Sequence, residues 1–179
     1  VYNEEEFIQR NLRYMIKRFK NLIDTEYHIY VVNDGSTDKT GEKIDSISNS
    51  RLSQIKCKGP SVRENLAKSF LEKGKKGDII FFMDADLSTN MNALPDLIFA
   101  IRKGYDIAIG SRYQKDSKLD RKPFRFIVSK IFNLFLQVYF FSKVKDHECG
   151  FKAFRYEVIE DLIEDMGWNL RRRAFWDAE

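Results

Sequence analysis

Cysteine, histidine and proline are scarce: the 179-residue chain has two Cys, two His and three Pro. Cys57 and Cys149 make no disulfide framework, and with only His28 and His147 beside them they assemble no structural zinc site. That cysteine usage fits a reducing, intracellular compartment. The nine glycines form neither a G-x-x-x-x-G-K-[ST] nor a G-x-G-x-x-G pattern, which excludes a Walker loop and a dinucleotide-binding turn. Internal repeats and linker-like stretches are missing too, and one domain is the reading over residues 1–179. Lys and Arg number 31 against 27 Asp and Glu, a net charge of +4. That excess is too small for a dedicated nucleic-acid binder, and it suits a phosphorylated small molecule or an anionic membrane surface. There is no initiator Met. Val1-Tyr2-Asn3 reads as the last step of a strand, and Phe175 to Glu179 carries no helix terminator. The chain therefore reads as an internal segment, without its first strand and its C-terminal part.

What is present is ordinary globular material, 43% hydrophobic and 32% charged, in a length that buries roughly 70% of its unfolded surface. Apolar residues at Phe7, Ile8, Leu12, Met15, Ile16, Phe19 and Leu22 repeat at helical spacing from Glu4 to Leu22. Strands are predicted at Tyr27–Val32, Leu52–Cys57, Asp78–Met83 and Asp106–Ile109. Helices are predicted from Thr37 or Asp38 to Ile47, over Ser61–Lys73 and over Leu94–Lys103. The run Ile79 to Met83, apolar at every position, is expected to be a central parallel strand. This alternation argues an α/β fold with a mostly parallel sheet flanked by helices. Phe124–Phe141 differs: it is greasy all round except for Arg125, Ser129, Asn133 and Gln137, one polar stripe at a spacing of four. A core helix with one solvated face and a helix on a membrane surface both fit. A full span does not, because Lys130 and the stripe interrupt it.

Polar clusters follow the strands: Tyr2-Asn3-Glu4, Asp34-Gly35-Ser36, Asp84-Ala85-Asp86 and Gly110-Ser111-Arg112. In open α/β sheets ligands bind beyond the carboxyl ends of strands, so four clusters on one edge form one candidate site. Two carboxylates one residue apart at a strand end turn toward one hard cation. Oxygen ligands select Mg²⁺ or Mn²⁺, which such sites share with substrate phosphates.

Together these pieces resemble glycosyltransferase family 2, inverting enzymes of the GT-A fold. The resemblance is carried by Val1-Tyr2-Asn3-Glu4-Glu5, Val31 to Asp38, Met83 to Ser88 and Gly110-Ser111-Arg112-Tyr113. Arg125-x-x-x-Ser129 and Asp146-His147-Glu148-Cys149-Gly150-Phe151-Lys152 narrow it to the polyprenyl-phosphate branch, and most of all to dolichyl-phosphate β-glucosyltransferase-like enzymes. The resemblance implies that Tyr2, Asn3, Glu4 and Asp34 hold the base and ribose of a nucleotide sugar. It implies that Asp84 and Asp86 hold a divalent cation, Mg²⁺ or Mn²⁺, on the diphosphate. Arg112, Arg125 and Ser129 are then expected at the lipid phosphate, where the planar arginine fork meets phosphate oxygens bidentately. Asp146 is the candidate at the acceptor, orienting it or taking a last proton, with Arg112 as its catalytic companion.

The expected reaction is metal-dependent, inverting transfer of a hexose from UDP-glucose or GDP-mannose to a polyprenyl or dolichyl phosphate. The expected place is the cytoplasmic side of a membrane, met peripherally or through segments outside this chain. No nucleic acid enters as a partner. Rival readings are a same-fold transferase with a polysaccharide or soluble acceptor, a nucleotidyltransferase, and a non-catalytic remnant. Two departures from the family pattern bear on them. Lys58 to Phe70 is glycine-poor where relatives are glycine-rich, and Asn33 stands where many carry Asp. Asp177-x-Glu179 resembles a further acidic segment of the family, interrupted here by Trp176.

Overall fold

Two groups of hydrogen-bonded strands carry the polar turns, and helices pack on both of their faces. The computed structural model describes residues 1–59, 61–111, 123–147 and 149–166, without the side chains of 123–127. Helix α1 (Ile8–Leu22) buries Ile8, Leu12, Met15 and Phe19 on one stripe, with polar Asn11 among them. It starts at Ile8 rather than Glu4, because the Glu4 carbonyl accepts from the N–H groups of Phe7 and Ile8 and opens the first turn. Strand β1 (Ile29–Asn33) pairs in parallel with β2 (Leu52–Lys56), in register from Ile29↔Leu52 to Asn33↔Lys56. The short helix α2 (Thr40–Asp45) links them. Val1 adds a parallel step to β1, donating to Val32 O at 2.7 Å and accepting from Asp34 N at 2.9 Å.

Helix α3 (Val62–Lys73) leads to β3 (Ile79–Met83), and α4 (Leu94–Arg102), preceded by a 3₁₀ turn at Met91–Ala93, leads to β4 (Ile107–Ile109). The described partner of β3 is β5 (Phe151–Arg155), which runs antiparallel between β3 and β4. Both outer strands oppose β5, so they run parallel to each other, as the helical crossover through α4 requires. Strand β5 has no counterpart in the sequence reading, because Lys152 and Arg155 break its apolar run. The helix α6 (Tyr156–Met166) that follows it directly was likewise not anticipated.

The structure corrects the expectation of a central parallel strand at Ile79–Met83: among the described residues β3 pairs only with β5, antiparallel, and its five residues are half-buried, with aromatic contacts on both faces. Phe81 meets Phe19 of α1 and, edge-on at 5.0 Å, Phe151 of β5, whereas Phe82 meets Phe70 of α3 and stacks on Phe154. The core beneath is built from Ile8, Leu12, Val31, Ile44, Leu94 and Ala153, all nearly inaccessible.

Helix α5 (Pro123–Tyr139) is inverted relative to an ordinary surface helix. Its most buried described residue is polar Asn133, at 2% exposure, while Val128, Ile131, Leu134, Phe135, Val138 and Tyr139 face outward. Phe140 and Phe141 continue the apolar surface, the latter 92% exposed. Among the described residues no helix is long and apolar enough to cross a membrane.

Candidate functional site

The turn after β1 and the first residues of the chain are laced together through the main chain. Asn3, at φ 52°, donates its N–H to Ser36 Oγ (3.0 Å) and accepts from Thr37 N at Oδ1 (2.8 Å). Glu4 N–H donates to the buried Thr40 hydroxyl at 2.7 Å, and Glu5 N–H to Asp38 Oδ2 at 3.1 Å. Asp38 Oδ1 also accepts from Thr40 N at 2.9 Å, so Asp38 opens α2 in the manner of a cap although the helix begins two residues later. Tyr2 leaves its ring half exposed on this surface.

Asp34 is buried, at 4% exposure, and one of its oxygens is committed. Asp34 Oδ1 accepts from the Ser61 main-chain N–H at 2.9 Å and from the Asn65 side chain, whose Nδ2 also reaches Gly59 O at 3.3 Å. The glycine-poor stretch is thereby docked onto β1. Gly35 packs directly on that stretch: a Cβ on Gly35, at φ 77°, would lie 2.7 Å from the Gly59 nitrogen. Asn33 spends its amide on Gln54 Oε1 (2.8 Å) and its Oδ1 on Ser36 N (3.0 Å), holding the same turn from the other side. Lys56, at the end of β2, makes an exposed pair with Asp45 at 2.8 Å.

Asp84 and Asp86 are both exposed just beyond β3. Their loop is fixed from below, since buried Asn11 donates to Ala85 O at 2.9 Å and Asp86 Oδ1 takes the Ser88 N–H at 2.9 Å. The bend is completed by Leu87 at φ 62°. Asp84 touches the opposite loop: a Cβ on Gly150 would sit 2.5 Å from Asp84 Oδ2. Among the described residues no third His, Cys, Asp or Glu joins the pair. Two hard oxygen donors open to solvent fit a cation that keeps water and takes phosphate oxygens as its remaining ligands.

The polar stripe of α5 faces the loop that carries Asp146. Asn133 Oδ1 accepts from His147 N at 2.8 Å and lies 3.2 Å from His147 Nδ1, while Gln137 donates to Val144 O at 2.9 Å. His147 Nε2 lies 2.9 Å from Ser142 Oγ. Asp146 itself is 1% exposed, and Lys152, in the strand that follows, is 5% exposed. Ser129 sits one turn before Asn133 and its carbonyl accepts from Asn133 Nδ2 at 3.0 Å. Arg112, Tyr113, Glu148, Asp177 and Glu179 lie outside the described residues, as does the side chain of Arg125.

Burial, joined by the positive charge of Lys152, lowers the His147 pKa below its ordinary 6.5, with Asp146 opposing. A histidine depressed in the folded state is protonated first in the unfolded chain, so stability falls as pH drops from about 6.5 toward the folded pKa. His147→Gln, which retains hydrogen-bonding groups for Asn133 and Ser142, is expected to flatten urea-unfolding stability between about pH 7 and 5. An unchanged slope in the variant would assign the pH dependence to another group.

Sequence reasoning missed Asn65, Asn11 and the strand that carries Lys152. Asn11 had a visible signal, a polar residue at an apolar helical position between Ile8 and Leu12. Asn65 had a weaker one, since it occupies the glycine-poor stretch already marked as a departure.

Comparison with known proteins agrees with this geometry. Glycosyltransferase AglD of Haloferax volcanii is 30% identical over 186 residues, covering 100% of this chain and 29% of its own length. The dolichol-phosphate mannosyltransferase of Pyrococcus furiosus is 36% identical, covering 95% of this chain and 49% of its own. The polyprenol monophosphomannose synthase of Mycolicibacterium smegmatis is 29% identical, covering 99% and 69%. The chain thus spans half or less of the length of the first two relatives. Among solved structures, glucosyl-3-phosphoglycerate synthase from Mycobacterium tuberculosis in complex with Mn²⁺ and UDP-glucose superposes with a TM-score of 0.59 at 21% identity, over 88% of this chain and 54% of that one. It shares the fold. The family description "Glycosyl transferase family 2" matches residues 1–163, and the chain belongs to that family, with a mixed α/β, GT-A-type fold.

Proposed function

We propose that this domain transfers a hexose from a nucleoside-diphosphate sugar to a polyprenyl or dolichyl phosphate at a membrane surface, with inversion at the anomeric carbon. The observation that carries the reading is the meeting of Asp84 with Gly150. It joins the carboxylate pair at the end of β3 to the loop of Asp146, and the other side of that loop is held by α5, whose apolar face points outward. Donor phosphates and a lipid-borne acceptor would meet at that junction. The names of the relatives support an acceptor of this class.

In this reading Tyr2, Asn3, Glu4 and Asp34 hold the nucleoside, and Asp84 with Asp86 hold Mg²⁺ or Mn²⁺ on the diphosphate. A divalent cation bound there would stabilise the charge that builds on the departing diphosphate. An acceptor phosphate oxygen forms the new bond to the anomeric carbon, and the electron pair of the broken bond leaves with the nucleoside diphosphate. The acceptor is already largely ionised near neutral pH, its second pKa being about 6, so positioning matters more than a strong base. Buried Asp146 therefore orients the acceptor loop, while Arg112, Arg125 and Ser129 receive the lipid phosphate. The outward face of α5, from Val128 to Phe141, lies in the headgroup layer, where an apolar patch of this kind finds a partner.

The test is equilibrium binding of UDP-glucose and of GDP-mannose to the intact protein with Mn²⁺ and again with EDTA, followed by transfer to a polyprenyl phosphate. The expected result is metal-dependent binding of one donor and a hexosyl lipid of inverted configuration. Absence of binding by both donors would overturn the reading. Turnover only with a lipid-free acceptor would move it to the soluble-acceptor class.

A further inference from the structure

We infer that Asn65 is a specificity-determining residue of the donor site, selecting a nucleobase edge with two adjacent N–H donors, the guanine edge, over uracil. The inference rests on the reading above that Asp34 faces the base. A carboxylate only accepts hydrogen bonds, so the Asn65 group that meets Asp34 Oδ1 is its NH₂, which is also the group that reaches Gly59 O. That fixes the amide: its carbonyl oxygen is turned away from Asp34 as an acceptor. Asp34 is held in turn, because Ser61 N–H shares the same Oδ1 at 2.9 Å. Neither Asp34 Oδ2 nor Asn65 Oδ1 receives a hydrogen bond from a described residue.

The site thus presents two acceptors joined through one hydrogen bond. Guanine offers N1–H and N2–H₂ side by side and satisfies both. Uracil offers one N3–H between two carbonyl oxygens, so a carbonyl would oppose the Asn65 oxygen and leave two acceptors unmatched. Buried polar groups left unmatched are what let a site reject a near-isostere. Hypoxanthine, which has N1–H but lacks the 2-amino group, falls between the two.

The experiment is equilibrium binding of GDP, IDP and UDP, each with Mn²⁺, to the intact wild-type protein and to Asn65→Ala and Asn65→Ser. Wild type is expected to bind GDP about tenfold or more tightly than UDP, with IDP intermediate. Both variants are expected to bring GDP and UDP within about threefold of each other. The wild-type comparison stands whether or not a variant folds. UDP binding as tightly as GDP in wild type would overturn the inference, as would an unchanged preference in the variants. An equal loss of all three nucleotides would also overturn it and leave Asn65 a clamp on Asp34. Absence of binding by every nucleoside diphosphate to folded wild type would instead overturn the underlying reading of the site.

Discussion

Asp84→Ala and Asp86→Ala are each expected to reduce sugar transfer by about a thousandfold, the scale lost when a group that stabilises developing charge is removed. The unfolding midpoint of Asp86→Ala is expected to stay within about 2 °C of wild type, because an exposed substitution away from packing shifts stability little. The two effects separate because of where the carboxylates sit. Both are exposed beyond the end of β3 and fill no space in the core, while the loop beneath them is held by Asn11 through the Ala85 main chain, which either alanine retains. Initial rates with a polyprenyl phosphate acceptor, with and without EDTA, check the first expectation, and thermal melts check the second. Retention of more than about a tenth of the activity by either variant, or a wild type indifferent to EDTA, would remove the cation from this site.

The placement of much of this candidate site was legible because its parts lie next to each other in sequence. Asp34-Gly35-Ser36 and Asp84-Ala85-Asp86 follow strands whose apolar runs are unmistakable, and the strand ends place them without further information. The stripe of α5 was legible for a similar reason: four polar residues at helical spacing must share a face, and Asn133 and Gln137 do hold the Asp146 loop. What stayed hidden depends on contacts between distant segments. Strand β5 is buried at four of its five residues, yet Lys152 and Arg155 make its sequence read as a surface segment, so its antiparallel place between β3 and β4 was not visible. Local propensity carries no information about a strand whose identity comes from the two strands that flank it. Asn65 lies 31 residues from Asp34, and the poverty of glycine around it read as a defect. The hydrogen bond between them instead docks that stretch on the turn after β1.

Gly35→Ala is expected to destabilise the fold by about 2–5 kcal/mol, the sum of a left-handed backbone that costs alanine about 1–2 kcal/mol and an overlap that costs about 1–3 kcal/mol. Gly35 has φ 77°, and a Cβ there would lie 2.7, 2.8 and 2.9 Å from the N, Cα and C atoms of Gly59. Those are backbone atoms, so no rotamer change relieves the overlap. The two chain segments must part, and they are the segments that Asp34 ties together through Ser61 N and Asn65. Nucleotide affinity is therefore expected to fall along with stability. Gly59→Ala supplies the internal comparison, because Gly59 has φ 70° but open space where its Cβ would stand. It carries only the backbone cost, about 1–2 kcal/mol. Urea unfolding of the two variants side by side measures the difference, and a Gly35→Ala chain no less stable than Gly59→Ala would mean that the two glycines do not approach each other in solution.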